Sequence, residues 1–538
     1  MKKHLLLSLF ALLALTFQAK GAITLTTDAP EGTSVKMLLN TVSATAPVTV
    51  DWGNGVEMKY TINPAQGAYN RWVEGAVSGS TIKVSGKITE FQMTDASLTS
   101  ATVEYMTDLK LLKLNDNKIS EFNLKTYSPI ERLNLNNNLL SNSPSQNSTL
   151  GLENCAAHLT ELNVSGNPGL TCLDIRSLEV IETLSINKCP SFASLFICAP
   201  EASQKTLRYI YINDCSLTDF YPVSLPSLRK LELDNNRLMT EGTTSPFALG
   251  DYPELVWLSL KGNKNLSDID LSKSPLIEQL WIDHCAFRKV NVSVCPELIN
   301  LNCGYNNLES IDLGANTKIK NLTVAGNPMK KLETTNLTSL TDLNISETEI
   351  SFVNLINAFY LQTFNAAGSG ISFVDFNGTQ PLRMSKVDLR NCKNFTAESM
   401  SYTLQTLQQS KKTTRTNLFL EGSNAEHSNT AYVTGPDMGW ICDVSGDNTA
   451  RHTALSVTLQ DARDSGENKT GTLDRLYPLK AYSLDYDLDV METTGGKFII
   501  CQWQPFYFQT IASVGATPSR AFPCTSTPIP PTASASKA

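Results

Sequence analysis

Histidine is scarce in this 538-residue chain, and its five copies (His4, His158, His284, His427 and His452) stand far apart. None lies three or four residues from another His, or from a Cys in a zinc pattern, so neither a metal nor another cofactor is expected. The chain lacks Cys-x-x-Cys, which excludes a thioredoxin-like redox motif. Phosphate-binding glycine loops, the dinucleotide fingerprint and the Gly-x-Ser-x-Gly elbow are missing too, and no catalytic residue is proposed. Basic charge is in short supply: the formal net charge is −8 and only 18% of residues are charged, which argues against nucleic acid. Apolar runs are short; the longest, Leu5–Phe17, is too short to cross a bilayer, so no membrane span is expected.

What the chain does have is repetition. Leu109-Leu112-Leu114-Asn117 and Leu255-Leu258-Leu260-Asn263 are copies of one pattern, apolar-x-x-apolar-x-apolar-x-x-Asn. Its central apolar position recurs 14 times, at Phe91, Leu112, Leu133, Leu162, Leu184, Ile210, Leu231, Leu258, Leu280, Leu301, Leu322, Leu343, Phe364 and Val387. Most steps are 21 residues, a fixed period that signals a solenoid. Apolar residues two apart share one face of a short strand, and such a strand buries its face only by stacking on copies of itself. Five residues after each key position runs a second column, mostly Asn or Cys, where the chain turns inward and its backbone needs partners. Cys189, Cys215, Cys285 and Cys392 stand in that column and Cys303 replaces a strand Leu, so these five are expected to be buried thiols. Pairs such as Leu173/Ile175 and Ile311/Leu313 predict a second extended wall rather than a helix.

The pattern resembles the leucine-rich repeat family in its short bacterial form, as in internalin-like and Bacteroidetes surface proteins. The resemblance implies a mainly β solenoid of about 14 repeats. It also implies a secreted or cell-surface binding or adhesion protein that recognises an extracellular protein or glycan on its sheet face. An architectural envelope protein without a discrete ligand is the alternative, and an enzyme sited in a terminal domain is a third. A monomer is expected.

The flanks divide as follows. Residues 1–21 read as a cleavable signal peptide: Lys2 and Lys3 precede the apolar run, and small residues stand at Ala19 and Gly21. Export to the surface, the medium or the periplasm follows. Residues 22–87 alternate with period two and form a β-sandwich-like cap. There Asp51-Trp52-Gly53-Asn54-Gly55 is similar to the hairpin of PKD-type immunoglobulin-like domains. The repeats occupy 88–394, and 395–448 form a terminal cap of helix plus strand, with Met400, Leu404 and Leu407 at helical spacing. A small β region is expected at 449–512, and the Pro-, Ser- and Thr-rich residues 513–538 are expected to be a disordered tail. Three longer steps place loops at Leu140–His158, Ala199–Lys205 and Met239–Asp251.

A ligand site is expected where aromatic residues gather on the open face. Residues beside each key apolar position, and the two before the Asn column, should point away from the core. Those positions hold Tyr209, Tyr211, Lys230, Glu232, Asp234, Trp257, Trp281, Asp283, His284, Asn302 and Tyr305. The expected ligand contacts are the aromatics, His284 and the carboxylates Glu232, Asp234 and Asp283, with loop Met239–Asp251 poised to fold over them.

Overall fold

The computed structural model describes residues 21–63, 71–141, 150–199, 202–220, 223–240, 247–377, 379, 384–407 and 416–423, and past these only six short strands between 440 and 508. Residues 1–20, expected to be most of a signal peptide, the C-terminal tail 513–538 and most of 449–512 lie outside the described residues. The chain divides into two compact units, Met1–Leu276 and Ile277–Ala538.

The first unit opens with six strands: β1 (Ala22–Thr27), β2 (Ser34–Thr41), β3 (Pro47–Asp51), β4 (Glu57–Thr61), β5 (Trp72–Ala76) and β6 (Thr81–Ser85). Alternate residues Ile23, Leu25, Val35, Met37, Leu39, Val48, Val50, Ile82 and Val84 are buried, the period-two signature of sheets packed face to face. Asp51 closes the turn after β3 by accepting from the N–H groups of Gly53 (2.9 Å) and Gly55 (3.0 Å). Trp52 is buried there under Gly75, where an added Cβ would lie 2.2 Å from its ring.

Each sheet of this cap runs on into one wall of the first repeat. β2 pairs antiparallel with β7 (Ile88–Gln92), and β1 with β8 (Leu98–Glu104). Both walls therefore start on a paired edge rather than an open one, which removes a site of strand-to-strand aggregation.

From β7 the first wall continues in parallel through β9 (Leu111–Lys113), β11 (Arg132–Asn134), β12 (Glu161–Asn163), β14 (Thr183–Ser185), β16 (Tyr209–Tyr211), β17 (Lys230–Glu232) and β19 (Trp257–Ser259). Phe91, Leu112, Leu133, Leu162, Leu184, Ile210, Leu231 and Leu258 stand in register along it, and all are buried. The second wall is extended as expected: β8 pairs with β10 (Glu121–Leu124), β13 (Cys172–Asp174) with β15 (Ser194–Phe196), and β18 (Phe247–Ala248) with β20 (Ile269–Asp270).

The second unit repeats this design. β21 (Gln279–Trp281), β22 (Asn300–Asn302), β23 (Asn321–Thr323), β24 (Asp342–Asn344), β25 (Thr363–Asn365), β26 (Lys386–Asp388) and β27 (Thr416–Phe419) form a parallel ladder. A helix, Ala397–Leu407, buries Met400, Leu404 and Leu407. It opens on a reciprocal cap: the Ser399 N–H donates to Thr396 Oγ1 (3.1 Å), and the Thr396 N–H donates to Ser399 Oγ (3.0 Å). Its buried Thr403 and Thr406 hydroxyls accept from the backbone N–H groups of Val374 and Phe376, both at 3.1 Å. Backbone donors of the last second-wall turn thus find partners on the helix.

The Asn column is the seam that holds successive turns together. Asn138 Oδ1 accepts from the N–H of Ile119 at 2.9 Å, while its Nδ2 donates to the carbonyls of Leu114 and Leu135, both at 3.0 Å. Asn167, Asn236, Asn306 and Asn327 make the same set. A Cys in the column keeps the donor half only: Cys215 Sγ lies 2.9 Å from the Ile186 carbonyl and Cys392 Sγ 3.0 Å from that of Ala366. A thiol is a poor acceptor, so the backbone N–H that Asn Oδ1 would receive goes elsewhere. One turn before Cys189 and Cys215 it closes on its own turn, Leu170 N–H to Asn167 O (3.1 Å) and Phe192 N–H to Cys189 O (2.8 Å). Cys189, Cys215, Cys303 and Cys392 are buried thiols, as expected; Cys285 is only half-buried.

Candidate binding face

The residue just before the Asn column adopts a left-handed backbone. Positive φ occurs at Asp95, Asp116, Asn137, Lys188, Asp214, Asn235, His284, Tyr305, Glu347 and Asn391, and at Gly166, Gly262, Gly326, Gly368 and Gly422 in the same column. Asp, Asn and Gly tolerate this conformation; Lys, His, Tyr and Glu do so at a cost that stacking must offset. The sequence reading missed this column, although its run of Asp, Asn and Gly was the available signal. Its consequence is direct. His284 and Tyr305 stand on the turn at the rim, past the ends of β21 and β22, and not on the strands themselves.

The residue two before the column builds another ladder in the first unit. The Asn187 N–H donates to Ser165 Oγ (2.9 Å), Asn213 N–H to Asn187 Oδ1 (2.9 Å), Asp234 N–H to Asn213 Oδ1 (2.7 Å) and Lys261 N–H to Asp234 Oδ1 (3.0 Å). Asp234 also accepts from Ser259 Oγ at 2.5 Å. Its carboxylate, expected to meet ligand, is an acceptor that ties adjacent turns.

The face of the first unit is dominated by one cation. Tyr211, Lys230 and Trp257 lie on adjacent strands, and Lys230 Nζ sits over both rings, 5.3 Å from the Tyr211 centroid and 4.4 Å from that of Trp257. The same ammonium pairs with Glu232 at 2.9 Å, and Glu232 accepts from Asn213 Nδ2 at 3.3 Å. Tyr209, Tyr211, Lys230, Glu232 and Trp257 are half-buried. Burial pushes the Tyr211 hydroxyl above its ordinary pKa, against the pull of Lys230. The aromatics therefore form a cation-filled cluster and not the open aromatic shelf that the sequence suggests.

In the second unit Trp281 is half-buried, while His284 and Tyr305 are exposed. Asp283 departs from expectation: it is buried, 2% exposed, rather than on the open face. There it accepts from Asn302 Nδ2 (3.0 Å) and faces His284 Nδ1 (2.8 Å), which explains how a carboxylate is kept inside. His284 stacks on Tyr305 with centroids 4.6 Å apart. The Tyr305 ring lies on Gly326, where a Cβ would come within 2.4 Å of it, and its hydroxyl donates to Glu347 at 3.4 Å. A glycine at 326 is what lets the ring lie flat.

Other features bear on the site. The described ends of loop Met239–Asp251 belong to the second wall, Met239 bridging Asn265 and Phe247 pairing with Ile269, so these parts do not cover the face. On that wall a groove of about 950 Å³ is lined by Asp174, Arg176, Glu179, Cys198 and Gln204 among others. Arg176 grips the buried Asp174 through Nε and Nη2, and this holds the Asp174 carboxyl below its usual pKa. Among the described residues no cluster of His, Cys, Asp and Glu could hold a metal, and no helix is long and apolar enough to cross a membrane.

No protein-family model and no curated protein matches the chain. Among solved structures it is similar to the functional domain of InlJ from Listeria monocytogenes, which includes a cysteine ladder (15% identity, 68% of this chain, 76% of that one, TM-score 0.42). It is also similar to a leucine-rich repeat protein of Leptospira interrogans (19% identity, 58% and 73% covered, TM-score 0.41). A third similarity is to YopM from Yersinia enterocolitica (18% identity, 56% and 64% covered, TM-score 0.42). By its own strand register, its Asn/Cys seam and its capping sheets, this chain is a leucine-rich repeat solenoid with an N-terminal β-sandwich cap.

Proposed function

We propose that this chain is an exported binding protein whose sheet face takes an extracellular protein partner. The observation that carries the reading is the cluster around Lys230. Three adjacent strands hold Tyr211, Lys230 and Trp257 in fixed relation, with Glu232 as an anchor. Side chains already locked before contact lose little entropy on binding, and Tyr and Trp dominate hot spots. Lys230 occupies space over both rings, which leaves less free ring face for a sugar to stack on. That favours a protein over a glycan. The rim pair His284 and Tyr305 is a second rigid element, in the other unit. Among the described residues the face gathers aromatic rings and ion-paired side chains, which supports a reading of binding. Export rests on the N-terminal sequence.

The test is an array of extracellular-matrix proteins and glycans probed with the full chain, alongside a variant carrying Trp257→Ala and Lys230→Met. Protein spots bound by the parent and lost by a variant that melts within a few degrees of it support the reading. Binding confined to glycan spots shifts the partner class. No bound spot favours the architectural alternative, and equal binding by the variant moves the site elsewhere.

A further inference from the structure

The cap takes over the first edge of each solenoid wall, and one of its own sheets then ends on β4. The strands of that sheet run in the order β10, β8, β1, β6, β3 and β4, so among the described residues β4 is paired with β3 alone. A strand with a neighbour on one side carries a row of backbone donors and acceptors along the other, and natural edges are blunted by charge, proline or a bulge. β4 has no proline, and its register with β3 runs unbroken from Glu57 opposite Asp51 to Thr61 opposite Pro47. Its side chains divide by face. Met58 and Tyr60 stand opposite the buried Val50 and Val48, so they carry the core side of the sheet outward. Met58 is 51% exposed there, and Val56, just before the strand, is 59% exposed. This apolar row is held in place. The Val56 N–H donates to Asn54 Oδ1 (3.0 Å), Trp52 Nε1 donates to the Tyr60 hydroxyl (3.0 Å), and that hydroxyl donates to Met58 Sδ (3.8 Å). Glu57 and Lys59 alternate with the row and are exposed.

The order of these residues is self-complementary. Two copies of β4 set antiparallel about a two-fold axis at Met58 bring Glu57 of each opposite Lys59 of the other, Met58 opposite Met58, and Val56 opposite Tyr60. Opposite charges then meet on one face while the apolar rows join on the other. The neighbouring registers lack this fit: an axis at Glu57 or at Lys59 sets like charges directly opposite, which is unfavourable. Charge that would guard this edge against a foreign strand therefore suits a second copy.

We propose that β4 pairs with β4 of a second copy in the Met58-centred register, making a dimer through the cap in place of the monomer that the sequence suggests. The proposal stands independently of the ligand reading above. A short edge makes a small contact, so association is weak and depends on concentration. The test is sedimentation of the full chain from about 1 μM to about 100 μM, across which the parent should pass from monomer towards dimer. Glu57→Lys and Lys59→Glu each alter an exposed side chain, so the melting curve should stay as it is. Each should weaken dimerisation about tenfold, because each sets like charges opposite one another on both sides of the axis. Combined in one chain they restore opposite pairs, and the double variant should dimerise like the parent. A parent that stays monomeric, a dimer indifferent to either single reversal, or a double variant as weak as the single ones would each overturn the proposal.

Discussion

Replacing Asn327 by Ala should open a defined fault in the second unit. The side chain is 2% exposed. Its Oδ1 accepts from the Leu308 N–H at 2.9 Å, and its Nδ2 donates to the carbonyls of Cys303 (3.0 Å) and Val324 (2.9 Å). Alanine leaves the Leu308 N–H and the Val324 carbonyl without this partner, while the Cys303 carbonyl keeps Asn306 Nδ2 at 3.0 Å. At about 1–3 kcal/mol for each buried group left unsatisfied, the loss is about 2–6 kcal/mol. Cysteine at the same position restores a donor, as Cys215 and Cys392 do in their turns, and should cost about half as much. A repeat array need not unfold in one step, so a global midpoint alone is a poor gauge. Amide hydrogen exchange reads the fault locally: the Leu308 amide should exchange faster in both variants, and the Val324 region should loosen more with Ala than with Cys. Unchanged Leu308 protection, or a Cys variant as damaged as the Ala variant, would refute the reasoning.

Other outcomes follow from the same geometry. Leu280→Asp puts a carboxylate at a position with no exposure and should abolish cooperative folding of the second unit, read by circular dichroism and soluble yield. Lys230→Met alone removes two cation–π contacts and a half-exposed ion pair, so its melting curve should shift by no more than about 1 kcal/mol equivalent. Burial pushes the thiols of Cys155 and Cys303 from the ordinary 9.0 up to about 12, the latter helped by Asp283. They should resist a disulfide reagent at pH 8 until the chain is unfolded. Because the folded values are raised, the stability they contribute is complete below pH 9 and is lost as pH rises from there towards 12, which denaturation in alkaline buffers would show.

Most of the fold was legible because a stacked solenoid writes its constraints at a fixed interval. Leu112, Leu133 and Leu162 must align for any of them to be buried, and the 29-residue step between the last two is absorbed by a loop without disturbing the register. The helix late in the array was legible from Met400, Leu404 and Leu407, but the hydroxyl caps by Thr403 and Thr406 were not, since a Thr next to a Leu carries no visible direction. The face was legible only as a set of positions. Sequence spacing puts Asp234 and Asp283 outside the strands, yet backbone donors of the adjacent turn claim the first, and Asn302 with His284 draw the second inside. Neither Lys230 lying over two rings nor Tyr305 resting on Gly326 follows from periodicity, because both depend on side-chain torsions between neighbouring turns.

The central claim, that this solenoid binds through its sheet face, is tested most directly by hydrogen-exchange footprinting of the full chain with and without a protein bound on the array. The account expects slowed exchange at 209–211, 230–234 and 257–261, with no change in the cap strands 22–85. Protection confined to the cap, or to the second-wall segments 172–174 and 194–196, would contradict it.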